Sequence, residues 1–247
     1  MRDDAGRVRP TALAVPVIKS NKIKVVYKFG DESQLLPHGT QLKYDEFSAY
    51  QKQSVLWFAT QKGVTNYLLN VQYRSHPTIM QFVNERFYKG QIWNHHSTYG
   101  SIDVRKAFRE AVEEVTLEKW RDEQQYVVID VVNGRSHAED DGPSLTNYVN
   151  VSTAARLVKA LPRKKVDPCF ITVLVYYAGQ KLVFHIKMTS NGPVHQLISV
   201  EQAQRVTCET VDSYQGQQNK IVIVDFVVAR NSIDQPQTRT ITILLNI

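Results

Sequence analysis

The sequence has 247 residues, of which 43% are hydrophobic and 22% are charged. This composition is typical of globular proteins and excludes the disordered, collagen-like and coiled-coil classes. The length fits one large α/β domain or two smaller ones. The chain carries 30 Lys and Arg against 24 Asp and Glu, a net charge of +6. This surplus permits a polyanionic partner, and a solvated surface explains it equally well.

Cys169 and Cys208 are the two cysteines, and no Cys-x-x-Cys pair or Cys/His cluster accompanies them. The sequence therefore suggests neither a disulfide framework nor a zinc site. The first ten residues are charged where a secretory signal requires an apolar core, and no apolar run approaches the ~20 residues of a membrane span. We expect a soluble intracellular protein, in the cytoplasm or the nucleus, without a membrane partner.

The first predicted elements are a strand at 22–29 and a helix at 77–88. Alternating apolar residues predict the strand, which stops at Gly30. Pro77 suits the first position of the helix, whose apolar residues recur at helical spacing until Gly90 ends it.

The later segments alternate between helix and strand. Helices are predicted at 104–120, 148–161 and 178–188, and strands at 126–132, 171–177, 206–211 and 221–228. A loop at 94–103 precedes the first of these helices, and a solvated connection at 133–146 precedes the second. This alternation predicts right-handed βαβ units and a parallel sheet. The basic cluster 163–165 is either part of a track for nucleic acid or an ordinary soluble loop.

Two long segments carry the strongest functional signal. Leu69 to Ile92, LNVQYRSHPTIMQFVNERFYKGQI, resembles the QYRxHP motif of superfamily 1 helicases of the nonsense-decay branch. Val206 to Val224, VTCETVDSYQGQQNKIVIV, resembles the VDxFQGxExDxII motif of the same family. Their order and spacing carry more weight than either motif alone.

Shorter segments extend the resemblance along the chain. FGDESQLLP at 29–37 is similar to the family's GDxxQLxP, and Asp3-Asp4-Ala5-Gly6 resembles the end of a Walker B box. ITVLVYYAGQ at 171–180 resembles the ITPYxxQ segment, and Ser144…Asn147 fits the SxxN that precedes it. An unrelated α/β enzyme would need four such coincidences in the right order.

The resemblance implies an α/β fold of the RecA-like P-loop NTPase class, with a mostly parallel sheet and helices on both faces. Residues 1–66 would be the remnant of a first helicase lobe, and 67–247 a second lobe that is incomplete at its end. The implied activity is ATP-dependent translocation on single-stranded RNA or DNA and unwinding of nucleic acid. ATP and Mg²⁺ would be the cofactors, and the missing first helicase lobe would be a partner.

In the family, the Walker B acids and the later glutamine act on the metal and on the attacking water. Asp3 would be the Mg²⁺ ligand, because Mg²⁺ prefers hard oxygen ligands on a rigid element. Asp4 stands where the family has a catalytic glutamate, one methylene longer. Gln34 matches the catalytic amide, which can donate to a phosphate and accept from water. Without the resemblance, Asp3-Asp4 would be an ordinary solvated terminus.

The QYR motif would bind the nucleotide. Arg74 matches a catalytic arginine that contacts the γ-phosphate, for which a permanently charged planar fork is suited. Tyr73 matches the aromatic residue on which adenine stacks, and Gln72 would be a supporting polar contact. In an isolated QYR, Tyr73 would be a core residue and Arg74 a surface cation. His76-Pro77 would shape the turn into the helix.

The later QG motif would connect the nucleotide with nucleic acid. Gln215 and Gly216 match its glutamine and glycine, and Gln218 stands where an acid contacts the ribose. As an amide, Gln218 can accept from a ribose hydroxyl but loses a charge-assisted bond. Tyr177 and Gln180 would contact nucleic acid, whose phosphates and bases meet polar and aromatic side chains.

The sequence also departs from the family pattern. The family's Thr and Pro are replaced by Val175 and Tyr176, and its Asp by Lys220. No GxxxxGK followed by Ser or Thr occurs, and Arg239 is the one candidate for the late arginines. We therefore expect little or no ATPase activity from this chain alone, since the phosphate-binding amides and lysine are missing. The alternative is a non-enzymatic helicase-like module that binds nucleic acid or a partner protein.

Overall fold

The structure is a computed structural model. It describes residues 8–20, 22–34, 52–99, 102–120, 125–131, 133–138, 144–189, 199–228 and 240–245. The chain forms two compact units, Met1–Leu69 and Asn70–Ile247.

The described part of the first unit contains the helices α1 (Pro10–Ile18) and α2 (Val55–Gln61). Ser54 caps α2, because its hydroxyl accepts a hydrogen bond from the N–H of Trp57 at 3.1 Å. The N–H of Val55 donates to the carbonyl of Val8 at 3.0 Å, which joins the start of α2 to the residues before α1.

The strand predicted at 22–29 is wrong. The segment is extended, and Lys28 alone within it takes part in an isolated bridge. Ile23, Val25 and Tyr27 are exposed. An alternating strand is stable when its apolar face packs against other elements, and the described residues of this unit do not cover that face.

The second unit contains most of the regular structure. Its helices are α3 (Pro77–Phe87), α4 (Ile102–Thr116), α5 (Tyr148–Arg163), α6 (Ala178–Thr189) and α7 (Val200–Gln204). Its strands are β1 (Val71–Gln72), β2 (Trp93–Asn94), β3 (Tyr126–Asp130), β4 (His137–Ala138), β5 (Leu145–Thr146), β6 (Ile171–Val175), β7 (Thr207–Thr210), β8 (Ile221–Asp225) and β9 (Thr240–Leu245). Short 3-10 turns lie at His96–Tyr99 and Pro168–Phe170.

The main sheet of this unit has the strand order β3-β9-β8-β6-β7. Strands β7 and β8 pair parallel with β6, whereas β9 pairs antiparallel with both β8 and β3. Four strands therefore run in one direction and β9 runs against them, as in a mostly parallel sheet. The sequence interpretation did not include β9.

The core of the unit lies between this sheet and the helices. Strand β6 lies inside the sheet, and its residues Ile171, Val173 and Val175 on one face and Thr172 on the other are buried, because both faces of the sheet are covered. Phe108 and Leu157 join the three apolar residues in one buried cluster. Each side chain of this size stabilises the fold by about 1.5–3 kcal/mol when it leaves water.

The predicted elements around the core form with shifted ends. Helix α4 begins at Ile102 and ends at Thr116, earlier than the predicted 104–120. Strand β8 ends at Asp225 instead of 228, because Val227 adopts a left-handed backbone with φ 63° that an extended strand excludes. Helix α3 forms as predicted, although Phe82 and Phe87 on its apolar face are exposed.

Candidate functional site

Gln72 organises the loop that carries the QYR motif. Its Oε1 accepts from the N–H groups of Arg74 (2.9 Å) and Ser75 (2.8 Å). Its Nε2 donates to the carbonyl of Ser75 (2.6 Å) and to Oδ1 of Asn94 on β2 (2.7 Å). The amide is therefore fully engaged in folding the loop. Gln72 thus builds the loop that presents Tyr73 and Arg74, and the supporting nucleotide contact predicted for it stays a prediction.

His76 and Pro77 connect this loop to α3. Pro77 is the first helical residue, and Nδ1 of His76 accepts from the N–H of Thr78 at 3.3 Å. Burial, together with the charge of Arg105, lowers the pKa of His76. The imidazole therefore stays neutral at pH 7 and keeps the lone pair that caps the helix. This arrangement matches the structural role expected of His76-Pro77.

Tyr73 leaves most of its ring open to solvent. The side chain is 65% exposed, and its ring packs against His95 with centroids 4.5 Å apart at 37°. His95 in turn contacts His96 at 3.9 Å. Tyr73 is thus supported from one side and has surface left on which an aromatic ligand can stack.

Arg74 meets the second motif. Its Nε donates to Oε1 of Gln218 at 2.8 Å, across 144 positions of sequence. Both side chains are exposed. This hydrogen bond brings together the loop after β1 and the loop between β7 and β8, the two segments with the strongest family resemblance.

The loop between β7 and β8 is anchored on either side of Gln218. Gly216 has φ 82°, a backbone conformation that favours glycine. The hydroxyl of the buried Tyr214 lies 3.2 Å from Oγ1 of Thr172 on β6. Nδ2 of Asn219 donates to the same Oγ1 at 2.9 Å. Lys220, which replaces a family Asp, places Nζ 3.9 Å from the centroid of the Phe170 ring.

Gln215 holds an unsatisfied acceptor in this loop. Its Oε1 is buried and has no hydrogen-bond partner among the residues that the structure describes. A buried amide oxygen without a donor costs free energy, so a ligand hydroxyl or amine that donates here would recover it.

The SxxN and ITPYxxQ segments form a buried polar network. Oγ of Ser144 accepts from the N–H of Gly179 at 2.9 Å. Oε1 of Gln180 accepts from the N–H of Asn147 (2.7 Å), and Nε2 of Gln180 donates to the carbonyl of Asn147 (3.1 Å) and to Asp225. Gln180 is 0% exposed. The structure therefore places in the interior an amide that we expected at the nucleic-acid surface, because α6 turns it towards β8 and α5.

The edge of the sheet after β6 and β8 carries aromatic side chains. Tyr176 and Phe226 stack with centroids 5.4 Å apart at 23°, and both are exposed. Tyr177 is partly buried. The carboxyl ends of parallel strands are a common ligand site in open α/β sheets. The sequence interpretation passed over Phe226, although an aromatic residue directly after an apolar strand is a signal for this edge.

In the first unit, the loop after Gly30 orients Gln34. Oδ1 of Asp31 accepts from the N–H of Ser33 (2.8 Å), and Oδ2 accepts from Nε2 of Gln34 (3.0 Å). The Gln34 side chain is exposed. Its amide oxygen remains available to accept a proton donor such as water.

Asp3 and Asp4 lie outside the described residues, so the predicted Mg²⁺ ligand and catalytic acid remain predictions. Within the described ranges, no group of three or more His, Cys, Asp or Glu side chains is arranged to hold a metal ion.

Comparison with known proteins decides the family. A family model described as an AAA domain matches residues 51–245. The chain belongs to this AAA domain family. The match covers the whole QYR loop, the QG loop and every strand of the main sheet.

The chain is also similar to ATP-dependent helicases. It is 24% identical to the ATP-dependent helicase NAM7 of Saccharomyces cerevisiae over 92% of this chain and 22% of NAM7. It is 24% identical to a regulator of nonsense transcripts 1 homolog of Arabidopsis thaliana, over 91% of this chain and 16% of that protein. It is 26% identical to the helicase SEN1 of Saccharomyces cerevisiae, over 81% of this chain and 8% of SEN1.

These similarities confirm the resemblance to superfamily 1 helicases of the nonsense-decay branch and the α/β RecA-like fold. The chain spans less than a quarter of the length of each of these three relatives. Among the described helices, none is long and apolar enough to cross a membrane.

Proposed function

We propose that this chain supplies the second-lobe part of an ATP-dependent RNA/DNA helicase, which couples ATP binding and hydrolysis to movement along a single strand. The Arg74–Gln218 hydrogen bond is the main support, because it joins the two motifs that the family uses for nucleotide. Residues 67–247 would form this lobe, and residues 1–66 would belong to the first lobe.

The described side chains suit the chemistry of a nucleoside triphosphate. The exposed ring of Tyr73 offers a surface for adenine, and the guanidinium of Arg74 offers charge and paired N–H donors for a phosphate. Oε1 of Gln215 and the amide of Gln218 offer acceptors for ribose hydroxyls. For the first unit, the family resemblance alone implies that Asp3 would bind Mg²⁺ and that Asp4 and Gln34 would act on the attacking water.

The nucleic-acid part of the proposal rests on the sheet edge around Tyr177. Single strands bind where bases stack on aromatic rings and phosphates meet polar or basic groups. Tyr177, with the stacked pair Tyr176 and Phe226, forms the aromatic part of this edge. We omit Gln180 from it because the side chain is buried.

Nucleotide binding is tested with ATP and with inorganic tripolyphosphate by calorimetry. We expect Arg74→Ala to weaken both ligands by about tenfold, the loss of one charge-assisted contact. Tyr73→Ala should weaken ATP alone, because tripolyphosphate has no base. Phe82→Ala, which removes an exposed ring on α3, is the control. A wild-type chain that binds neither ligand would contradict the nucleotide site.

Hydrolysis is tested by steady-state phosphate release with and without single-stranded RNA. We expect little turnover, because the 247 residues contain no phosphate-binding loop. Robust turnover that Arg74→Ala abolishes would show instead that this chain is a complete motor.

The second candidate is a helicase-like module that binds nucleic acid without hydrolysing ATP. The absent phosphate-binding loop and the amide at Gln218 favour it. Salt-dependent binding to single strands, unchanged by ATP, would support this candidate over the helicase.

A further inference from the structure

Further hydrogen bonds fix the loop that carries Arg74 and the loop that carries Gln218. The N–H of Arg74 donates to Oε1 of Gln72, which fixes the backbone below the guanidinium. Next to Gln218, Nδ2 of Asn219 donates to the carbonyl of Cys169 and to Oγ1 of Thr172, both at 2.9 Å. The side-chain bond between them therefore forms between two loops that are already in place, and it needs little further ordering.

The bond uses one particular nitrogen of the arginine. A guanidinium has five N–H groups, and Nε carries one of them. Because Gln218 takes the Nε–H at 2.8 Å, the four N–H groups on the two Nη nitrogens stay available. Those four groups form the fork that binds two oxygens of a phosphate.

The residue type at 218 also leaves the charge of Arg74 intact. A carboxylate at the same distance would pair with the guanidinium and compensate its charge, whereas an amide is neutral. The exposed Arg74 thus keeps a full positive charge towards an anionic ligand.

We propose that Gln218 is a positioning residue: its amide oxygen orients the Arg74 guanidinium through Nε, so that both Nη groups face the terminal phosphate of a nucleoside triphosphate. This rests on the proposed function, in which Arg74 contacts that phosphate. It differs from the ribose contact that the family resemblance implies for Gln218, and an amide oxygen with two lone pairs can serve both.

The first test measures the preference for ATP over ADP in the full chain, as the ratio of the two dissociation constants. We expect Arg74→Ala to reduce this ratio by about tenfold. Gln218→Leu should reduce it by several-fold, and it should have no further effect in the Arg74→Ala background, since both act through one guanidinium. Gln217→Leu is the matched control, because this exposed neighbour contacts the carbonyl of Ser213 instead.

The second test observes Arg74 directly without nucleotide. In a ¹⁵N spectrum of the arginine side chains, the Nε–H signal that disappears in Arg74→Lys belongs to Arg74. We expect slow exchange of this proton with water in the wild type and in Gln217→Leu, and fast exchange in Gln218→Leu. Gln218→Glu should restore slow exchange, because a carboxylate oxygen is also an acceptor.

The outcomes separate the two proposals. Equal ATP preference in Gln218→Leu and the wild type, or additive losses in the double variant, would overturn the positioning role. An unprotected Nε–H in the wild type would overturn it as well. A wild type that shows the protected Nε–H but no preference for ATP would contradict the nucleotide function of Arg74 instead.

Discussion

Asp225 is a buried carboxylate whose oxygens meet three donors. Oδ1 accepts from Nδ2 of Asn150 (2.7 Å) and from the N–H of Val227 (2.8 Å), and Oδ2 accepts from Nε2 of Gln180. Burial raises the pKa of Asp225, and the hydrogen bonds from Asn150, Gln180 and Val227 oppose that rise. The residue therefore ties β8 to α5 and α6 while it holds the turn at Val227.

We expect Asp225→Ala to lower the free energy of unfolding of the second unit by about 3 kcal/mol, because three donors lose their acceptor in a dry site. The measurement is urea denaturation followed by tryptophan fluorescence in a Trp57→Phe background. The remaining tryptophans, Trp93 and Trp120, both lie in the second unit.

Glu118→Ala, which removes an exposed carboxylate, is the control and should change stability by less than about 0.5 kcal/mol. The pH dependence gives a second check. Because the pKa of Asp225 is raised on folding, the folded protein binds this proton more tightly than the unfolded chain does. The resulting contribution to the free energy of unfolding is present at low pH and is lost as the pH rises above about 4. Asp225→Ala should lack that component; equal pH profiles would contradict the assignment.

At the scale of elements, α5 ends in a turn with a left-handed residue. Lys165, just after the C-cap Lys164, has φ 67°. The N–H of Lys165 donates to the carbonyl of Pro162 (2.9 Å), and the N–H of Val166 donates to that of Leu161 (3.2 Å). This pair of bonds is the Schellman motif, in which glycine is the preferred residue at the left-handed position.

We predict that Lys165→Gly raises the stability of the second unit by about 0.5–1 kcal/mol, since glycine adopts this backbone without strain and the exposed lysine contributes little packing. Lys164→Gly is the matched control. Its φ is −93°, so glycine there adds freedom to the unfolded chain, also removes the ammonium 3.4 Å from Glu114, and should destabilise. Thermal denaturation of both variants measures the difference, and the same sign for both would refute the strain argument.

The same α5 terminus clarifies the basic cluster 163–165. Arg163 belongs to the helix and pairs with Glu114 of α4, and Lys164 lies 3.4 Å from the same carboxylate. Part of the local positive charge is therefore compensated, which favours the soluble-surface interpretation over a track for nucleic acid.

At the scale of the whole molecule, the segment after α2 is exposed and irregular. Residues 62–70 form no helix or strand, and all of them are exposed, including Tyr67 and Leu69. The boundary between the two compact units falls after Leu69, three residues beyond the lobe boundary predicted after residue 66. Exposed apolar residues in such a segment are accessible to a protease.

We expect brief chymotrypsin treatment to cut at 67–69 and to leave a stable C-terminal fragment, which mass spectrometry identifies by its first residue. Replacing Tyr67, Leu68 and Leu69 by serine should delay this cut, because chymotrypsin prefers large apolar residues. A first stable fragment that begins inside α4 or α5 would contradict the expectation, since those helices form the core.

Local patterns predicted the elements that are stabilised by their own sequence and by a buried face. Pro77 and the apolar spacing behind it predicted α3, and the run 171–175, apolar except for Thr172, predicted β6. The pattern at 22–29 was equally regular but failed, because alternation predicts a strand only where neighbouring elements cover one face. Strand β9 was missed: it pairs with β8, the strand directly before it in the chain, and with β3, which lies far earlier.

The sequence by itself determined the family, because ordered motifs are a property of the residues and their spacing. It also determined the α/β class, since alternating apolar strands and helices admit few packings. Only the tertiary structure decided that Gln180 is buried, that Gln72 is used to build its loop, and that Gln218 meets Arg74. The contacts of Gln180 and Gln218 join residues far apart in the chain, and the geometry of all three depends on how the local backbone and the elements pack, which leaves no periodic trace in the sequence.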